Sequence, residues 1–184
     1  MEREEALDLL RSCVKNENMI KHCLASEAVV GAIAERLGND RAKWALAGLL
    51  HDLDVEMTAA DLRVHGLKTV KMLEERGLDT EILDAIRMHN EEAHGEKRRM
   101  AFHHALAAGE TITGLIVATA LVYPDKKLAS VKTKSILKRM KEKAFARSVD
   151  RDIIRECELI GIPLPEFADL SLNAMRSISD ELGL

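Results

Sequence analysis

The spacing of apolar residues predicts that the chain begins with helices. Apolar side chains recur three and four positions apart between residues 25 and 37, the period that places them on one helix face. Gly38 follows, where a left-handed residue ends such a helix. Asp40 can cap a second helix that runs to Leu50. His22 then lies in the first turns of one helix, and residues 51 and 52 follow the other.

Glycine, proline and capping residues divide the rest of the chain in the same way. Thr58, with Asp61 three positions later, has the spacing of a capping box and predicts a short helical segment. A polar loop is expected at 90–97. The stretch 112–123 is shorter than the roughly 20 residues that cross a bilayer, which predicts a buried core helix instead. The remaining helices are predicted at 65–76, 80–89, 98–122, 132–143 (basic and amphipathic), 150–160 and 165–182.

Composition indicates the kind of core that these helices form. Of the 184 residues, 47% are hydrophobic but only 3% are aromatic. The core must therefore consist of Leu, Ala, Ile, Val and Met, which mostly favour helices. The length suits one domain, and no internal repeat or flexible linker interrupts it. We expect a single all-α domain over residues 1–184.

Charge and cysteine usage restrict the partners and the compartment. A formal charge of -4 gives no general attraction to nucleic acid or to an anionic membrane. Cys13, Cys23 and Cys157 are odd in number and widely spaced, which indicates reduced thiols. The charged N-terminus lacks the apolar stretch of a signal peptide. We expect a cytoplasmic protein with neither a membrane nor a nucleic acid as partner, and a homodimer stays possible.

The most informative chemical feature is the pair His51 and Asp52, directly after the apolar run 44–50. An imidazole and a carboxylate are costly to bury unless something satisfies them, and a divalent metal ion satisfies both. His22 precedes this pair, and Glu110 follows on a predicted long helix. Metal binding is therefore the leading hypothesis.

The order His22, His51-Asp52 and a distant acidic residue resembles the HD superfamily of metal-dependent phosphohydrolases. The resemblance covers about residues 18–124 and implies an all-α, HD-domain-like helical bundle, with 125–184 as a C-terminal helical extension. It also implies that His22, His51, Asp52 and Glu110 bind one divalent ion. Glu110 stands where the family has an aspartate.

Two further histidines fall where the HDIG-type branch of the superfamily has additional ligands. These are His65 and His89, and the resemblance implies a second ion held by them together with Asp52. His103 or His104 is a further candidate for that second site. His103 lies seven residues before Glu110, nearly on the same helix face, so it has the geometric advantage.

The chemistry implied by this set is hydrolysis of a phosphate ester or phosphoanhydride, with a nucleotide as the favoured substrate. Imidazole and carboxylate ligands suit one or two ions of Mn, Fe, Co, Ni or Zn better than Mg. Asp52 would be central to catalysis, and Asp54 could orient water or a ligand imidazole. Lys68 and Lys132 are candidates for binding the substrate phosphates.

Other interpretations stay open. His51 and His89 could be helix caps, and the basic helix could be a solvated face. Because Glu110 replaces the family aspartate, the chain could instead be an inactive, metal-containing module that binds a nucleotide as a sensor. A di-iron oxygenase on the HD fold is a third possibility.

Overall fold

The computed structural model describes residues 1–184 and contains helices joined by turns and loops, with no strand, which confirms the predicted all-α class. Three 3-10 helices cover Glu91–Ala93, Leu128–Ser130 and Glu156–Ile160. The ten α-helices are α1 (Arg3–Cys13), α2 (Glu17–Arg36), α3 (Arg41–Leu50), α4 (Leu67–Glu74), α5 (Thr80–His89), α6 (Ala101–Leu121), α7 (Thr133–Lys141), α8 (Arg151–Arg155), α9 (Leu164–Arg176) and α10 (Ser179–Leu182).

Short polar side chains begin several of these helices. Asn16 accepts a hydrogen bond from the backbone N–H of Asn18 at the start of α2. Asp40 does the same at α3 and Asp79 at α5. These caps satisfy backbone donors that have no partner inside the helix, which explains why each helix begins where it does.

α2, α3 and α6 form the centre of the bundle, and α9 packs on the outside of α2. α2 and α3 approach closely because residue 48 has no side chain: a Cβ on Gly48 would lie 2.6 Å from the carbonyl oxygen of Ser26. α6 passes through the middle, and its Leu106, Ile112 and Leu115 are fully buried. One continuous apolar core reaches from α1 to α10.

α6 is the only helix that has the length and apolar character needed to cross a membrane. In its most apolar window, 61% of the residues are buried against the rest of the protein. The core helix of a globular protein has the same properties, and the burial agrees with the core position predicted for 112–123.

Two local predictions differ from the structure, and one helix was not predicted. Residues 51–66 form successive turns, and Thr58 Oγ1 donates to the carbonyl of Asp54 at 2.9 Å instead of capping a helix. The helix predicted at 165–182 is interrupted between Arg176 and Ser179. α1 was not predicted from the apolar pattern, although Ala6 and Leu10 on its inner face are fully buried.

Candidate metal centre

Four imidazoles and one carboxylate converge where α2, α3, α5 and the turns before α4 meet. His22 comes from α2, His89 ends α5, and His51, Asp52 and His65 lie in the turns between α3 and α4. His22 Nε2 is 3.3 Å from His51 Nε2, and His65 Nε2 is 3.1 Å from His89 Nε2. The structure thus brings together five residues that lie far apart in the chain.

Asp52 joins the histidines into two groups that could each hold a metal ion, His22–His51–Asp52 and Asp52–His65–His89. Its Oδ1 is 3.3 Å from His51 Nε2, 3.0 Å from His65 Nε2 and 3.7 Å from His89 Nε2. Its Oδ2 is 3.7 Å from His22 Nε2. Ligands that bind one ion at about 2.1 Å lie about 3 to 3.5 Å from one another, so these spacings suit a shared cation.

The outer nitrogen of each imidazole is fixed by a hydrogen-bond acceptor. His51 Nδ1 faces the carbonyl of Gly48 at 2.9 Å, and His89 Nδ1 faces that of Ile86 at 2.5 Å. His65 Nδ1 lies 2.7 Å from a carboxylate oxygen of Asp54. Carbonyl and carboxylate oxygens only accept, so all three Nδ1 atoms must carry a proton.

His22 is oriented in the same sense by a threonine on α6. Its Nδ1 lies 3.0 Å from Thr113 Oγ1, and that hydroxyl donates its own proton to the carbonyl of Glu110 at 2.6 Å. The hydroxyl oxygen must therefore accept from His22. In their neutral forms all four imidazoles then present a proton-free Nε2 to the cluster, which is the arrangement of metal-binding histidines with outer hydrogen-bond partners.

The charges at the cluster agree with this orientation. Burial lowers the pKa of His22 to about 4 and that of His89 to about 3, against the attraction of Asp52. Burial also opposes the ionisation of Asp52, but the surrounding histidines outweigh it and hold the Asp52 pKa below its usual value. A proton-free nitrogen beside an ionised carboxylate is the donor set that a divalent cation requires.

His65 is the member whose proton a metal ion would have to replace. Burial disfavours its cation, but the hydrogen bonds that the ring donates to Asp52 and Asp54 outweigh burial and raise the His65 pKa to about 10. Its Nε2 lies 3.0 Å from Asp52 Oδ1. Without a metal, the proton on His65 Nε2 forms a hydrogen bond to the Asp52 carboxylate, and metal binding must release this proton.

Asp54 lies behind the cluster and holds it in place. Its side chain is fully buried, and besides His65 its oxygens accept from the backbone N–H groups of Gly66, Lys68 and Thr69 at 2.9 to 3.1 Å. The carboxylate therefore caps the start of α4 and orients the His65 imidazole. Of the two roles considered for Asp54, the structure favours orienting a ligand.

Glu110 lies at the edge of the cluster. Its Oε2 is 3.7 Å from His22 Nε2, its one close approach to the candidate ligands, and its Oε1 accepts from Thr111 Oγ1 at 2.5 Å. Burial raises the Glu110 pKa to about 8. The structure places this carboxylate beside the first group, not within it.

Two histidines considered as ligands lie elsewhere. His103 Nε2 pairs with Asp84 at 2.7 Å, and His104 Nδ1 pairs with Glu156 at 2.7 Å. Neither histidine belongs to a group that could hold a metal ion. The structure does not bring either histidine to the second site, because carboxylates outside the cluster engage both rings.

The two lysines considered for phosphate binding also lie away from the cluster. Lys68 reaches Asp54 only through its backbone N–H, and its side chain is exposed. Lys132 precedes α7, which turns Ile136 and Met140 inward and leaves its lysines towards solvent. Neither side chain lines the cavity at the cluster, so the structure does not bring these two lysines to the metal centre.

One supporting residue was missed from the sequence. The Arg98 guanidinium donates to the carbonyls of Met88 and His89 at 3.1 Å, and it forms a paired interaction with Glu156 at 2.8 Å. Only 6% of the Arg98 side chain is exposed. Glu156 lies beyond residue 124, so the C-terminal extension helps to fix the end of α5 where His89 stands.

The cluster forms the floor of an open cavity of about 740 Å³. His22, Asp52, His65 and His89 line its base together with Glu110. The walls come from two segments that flank the cluster, 90–98 and 148–153. A volume of this size accommodates a small organic ligand.

Comparison with known protein families identifies one match, to the HD domain, over residues 19–121. A search of curated proteins and a search of solved structures each gave no match. The matched region covers more than half of the chain and contains His22, His51, Asp52, His65, His89 and Glu110. On this match, and with the all-α fold that surrounds the cluster, the chain belongs to the HD-domain family.

Proposed function

We propose that this protein is a metal-dependent phosphohydrolase that acts on a phosphorylated small molecule, and that this molecule is a nucleotide. The proposal depends on the convergence of four imidazole Nε2 atoms on the Asp52 carboxylate at the floor of an open cavity. HD domains are generally metal-dependent phosphohydrolases.

The side chains of the cluster fit one or two divalent ions of the Mn, Fe, Co, Ni or Zn type. Because Asp52 belongs to both groups, it would bridge two ions, and this supports a centre with two metals. Bound there, such ions lower the pKa of coordinated water and polarise the phosphoryl oxygens of a substrate.

The side chains and carbonyls around the cluster orient the imidazoles that would bind the metal. Thr113, Gly48, Ile86 and Asp54 hold the four imidazoles so that each Nε2 faces the Asp52 carboxylate. Catalysis of this kind requires ligand atoms that are held within about 0.5 Å of the working geometry, and these hydrogen bonds restrict the rotation of the imidazoles. The walls then position the organic part of the substrate.

The cellular location that we propose follows from the sequence and is compatible with the state of the cysteines. All three cysteines are unpaired, as a reducing compartment allows. We propose a cytoplasmic protein whose partner is the phosphorylated molecule, with no role for a membrane or a nucleic acid.

A second candidate function is a sensor that binds its ligand without turning it over. It is favoured by the position of Glu110, which approaches only His22 among the candidate ligands. A carboxylate displaced in this way would leave the first ion with fewer ligands than in an active HD enzyme.

Phosphate release from a panel of nucleotides and sugar phosphates, after loading with each candidate metal, tests the proposal. We expect turnover that chelation abolishes and that Asp52→Ala abolishes, whereas Asp8→Ala, an exposed change on α1, leaves it intact. Thermal stabilisation by a nucleotide without product would favour the sensor. Oxygen consumption by the iron-loaded protein without phosphate release would favour the oxygenase, and either result contradicts the hydrolase.

A further inference from the structure

The wall of the cavity above the metal centre is strongly acidic. Besides the cluster and Glu110, it contains Glu91, Glu92, Glu96 and Asp150 but only two cationic side chains, Lys97 and Arg98. We define the acidic rim as Glu92, Glu96 and Asp150. All three are exposed, so a ligand that enters the cavity passes them.

The two cations of the wall are already engaged by carboxylates. Lys97 Nζ lies 2.6 Å from Glu91 Oε2, and the Arg98 guanidinium is occupied by Glu156 and by two backbone carbonyls. Glu92 has no cationic partner, and Asp150 accepts only from the backbone N–H groups that it caps. Glu96 pairs with Arg87 at 2.7 Å. The negative charge of the rim that no side chain neutralises therefore comes from Glu92 and Asp150.

This charge distribution bears on which phosphorylated molecules can bind. A phosphoryl group at the floor would be attracted by the metal ions alone, because no free lysine or arginine faces it. Any further negative charge on the ligand would stand near the rim and be repelled, whereas a positive charge would be attracted.

We infer that the acidic rim selects ligands with a single phosphoryl group and a neutral or cationic organic part, and that it excludes polyphosphates and other polyanions. The inference rests on the proposed function, because it takes a phosphoryl group to be the part that the metal centre binds. It narrows the substrate from esters or anhydrides in general to phosphomonoesters.

Three phosphonates of similar size test the inference without any turnover, because their carbon–phosphorus bond is not hydrolysed by a phosphohydrolase. They are 2-aminoethylphosphonate, propylphosphonate and 3-phosphonopropionate, which carry a cationic, a neutral and an anionic tail. Calorimetry on the metal-loaded full chain would give the three dissociation constants at low and at high salt.

We expect 2-aminoethylphosphonate to bind at least about tenfold more tightly than 3-phosphonopropionate at low salt, with propylphosphonate between them. The ratio should shrink at high salt because ions screen exposed charges. In the variant Glu92→Gln/Asp150→Asn the ratio should fall by about threefold or more. Asparagine still caps α8, so this variant keeps the fold.

The matched control is Glu74→Gln/Glu75→Gln, which removes two exposed carboxylates outside the cavity. This control changes the net charge by the same amount as the rim variant. It should leave the ratio of the affinities for 2-aminoethylphosphonate and 3-phosphonopropionate as in the parent protein. Equal affinities for the three phosphonates, or a ratio that the rim variant does not alter, overturn the inference but leave the proposed function standing. Failure of all three to bind contradicts the proposed function and overturns the inference with it.

Discussion

At the scale of single residues, the centre depends on the hydrogen bond that orients each imidazole. The clearest case is His22, whose Nδ1 must donate to Thr113 because the threonine hydroxyl gives its proton to the carbonyl of Glu110. This contact crosses from α2 to α6, and it determines which nitrogen of His22 is free to bind a metal.

The first prediction concerns this threonine. Thr113→Val removes the acceptor and should weaken metal binding by about tenfold to a hundredfold, as outer-partner changes do in metal sites. Thr113→Ser should restore most of the affinity. Isothermal titration calorimetry of the apo-protein with the metal measures the change in metal affinity.

The matched control is Thr119→Val on the same helix. Thr119 is also buried, and its hydroxyl also donates to a carbonyl one turn earlier, but it has no histidine partner. It should lower stability without changing metal affinity. Equal metal affinities in the two valine variants would show that Thr113 does not orient His22.

At the scale of helices, the centre depends on how closely its supporting helices approach. His22 and His51 stand on α2 and directly after α3, and Gly48 lets these two helices touch. A side chain at position 48 would meet backbone, which cannot move aside without shifting a whole helix.

Gly48→Ala should therefore destabilise the protein by about 1 to 3 kcal/mol, the usual cost of overpacking. Gly31→Ala, at the same helix pair, is the control, because its nearest neighbour is the Ala45 side chain at 3.2 Å. Urea unfolding of the two variants gives the comparison. A Gly48→Ala protein as stable as Gly31→Ala would contradict the close backbone approach.

The C-terminal extension contributes through the pair of Arg98 and Glu156. Arg98 satisfies two carbonyls at the end of α5, and Glu156 holds the guanidinium from the 3-10 helix Glu156–Ile160. The last carbonyls of a helix have no partner within it, so this contact fixes the end that carries His89.

Glu156→Gln should loosen that end and weaken metal binding by about tenfold. The neighbouring Glu158→Gln removes an exposed carboxylate of the same 3-10 helix and should have no effect on metal affinity. Metal titration and urea unfolding should be measured together. If Glu156→Gln lowers the stability but leaves the metal affinity unchanged, the pair is purely structural.

Much of the helical pattern followed from local signals. Asp40 caps the helix that begins after it, and Gly38 has the left-handed backbone predicted at the end of the helix before it. The turns at 51–66 were missed because Thr58 bonds backwards to Asp54, a choice that depends on the buried setting of Asp54.

For the site, the sequence order pointed to His22, His51, Asp52, His65 and His89, and the structure brings all five together. The sequence could not predict which side chains from different helices pair when the helices pack together. His103 meets Asp84 from another helix, and Arg98 meets Glu156 across 58 residues. No periodicity carries such information, because these contacts arise only when the helices assemble.

At the scale of the whole molecule, the bundle delivers ligands from separate segments to one carboxylate. Asp52 belongs to both groups, whereas His89 belongs to one. The Asp52 carboxylate is also the group that all four imidazoles approach, at 3.0 to 3.7 Å. We therefore expect a change at Asp52 to remove more bound metal than a change at His89.

The most direct measurement is the number of metal ions per chain, by elemental analysis of the purified protein and of Asp52→Ala and His89→Ala. We expect two ions in the parent, one in His89→Ala and essentially none in Asp52→Ala, with all three proteins folded by circular dichroism. A folded parent chain that retains no divalent metal, even after incubation with each candidate ion, would contradict this expectation.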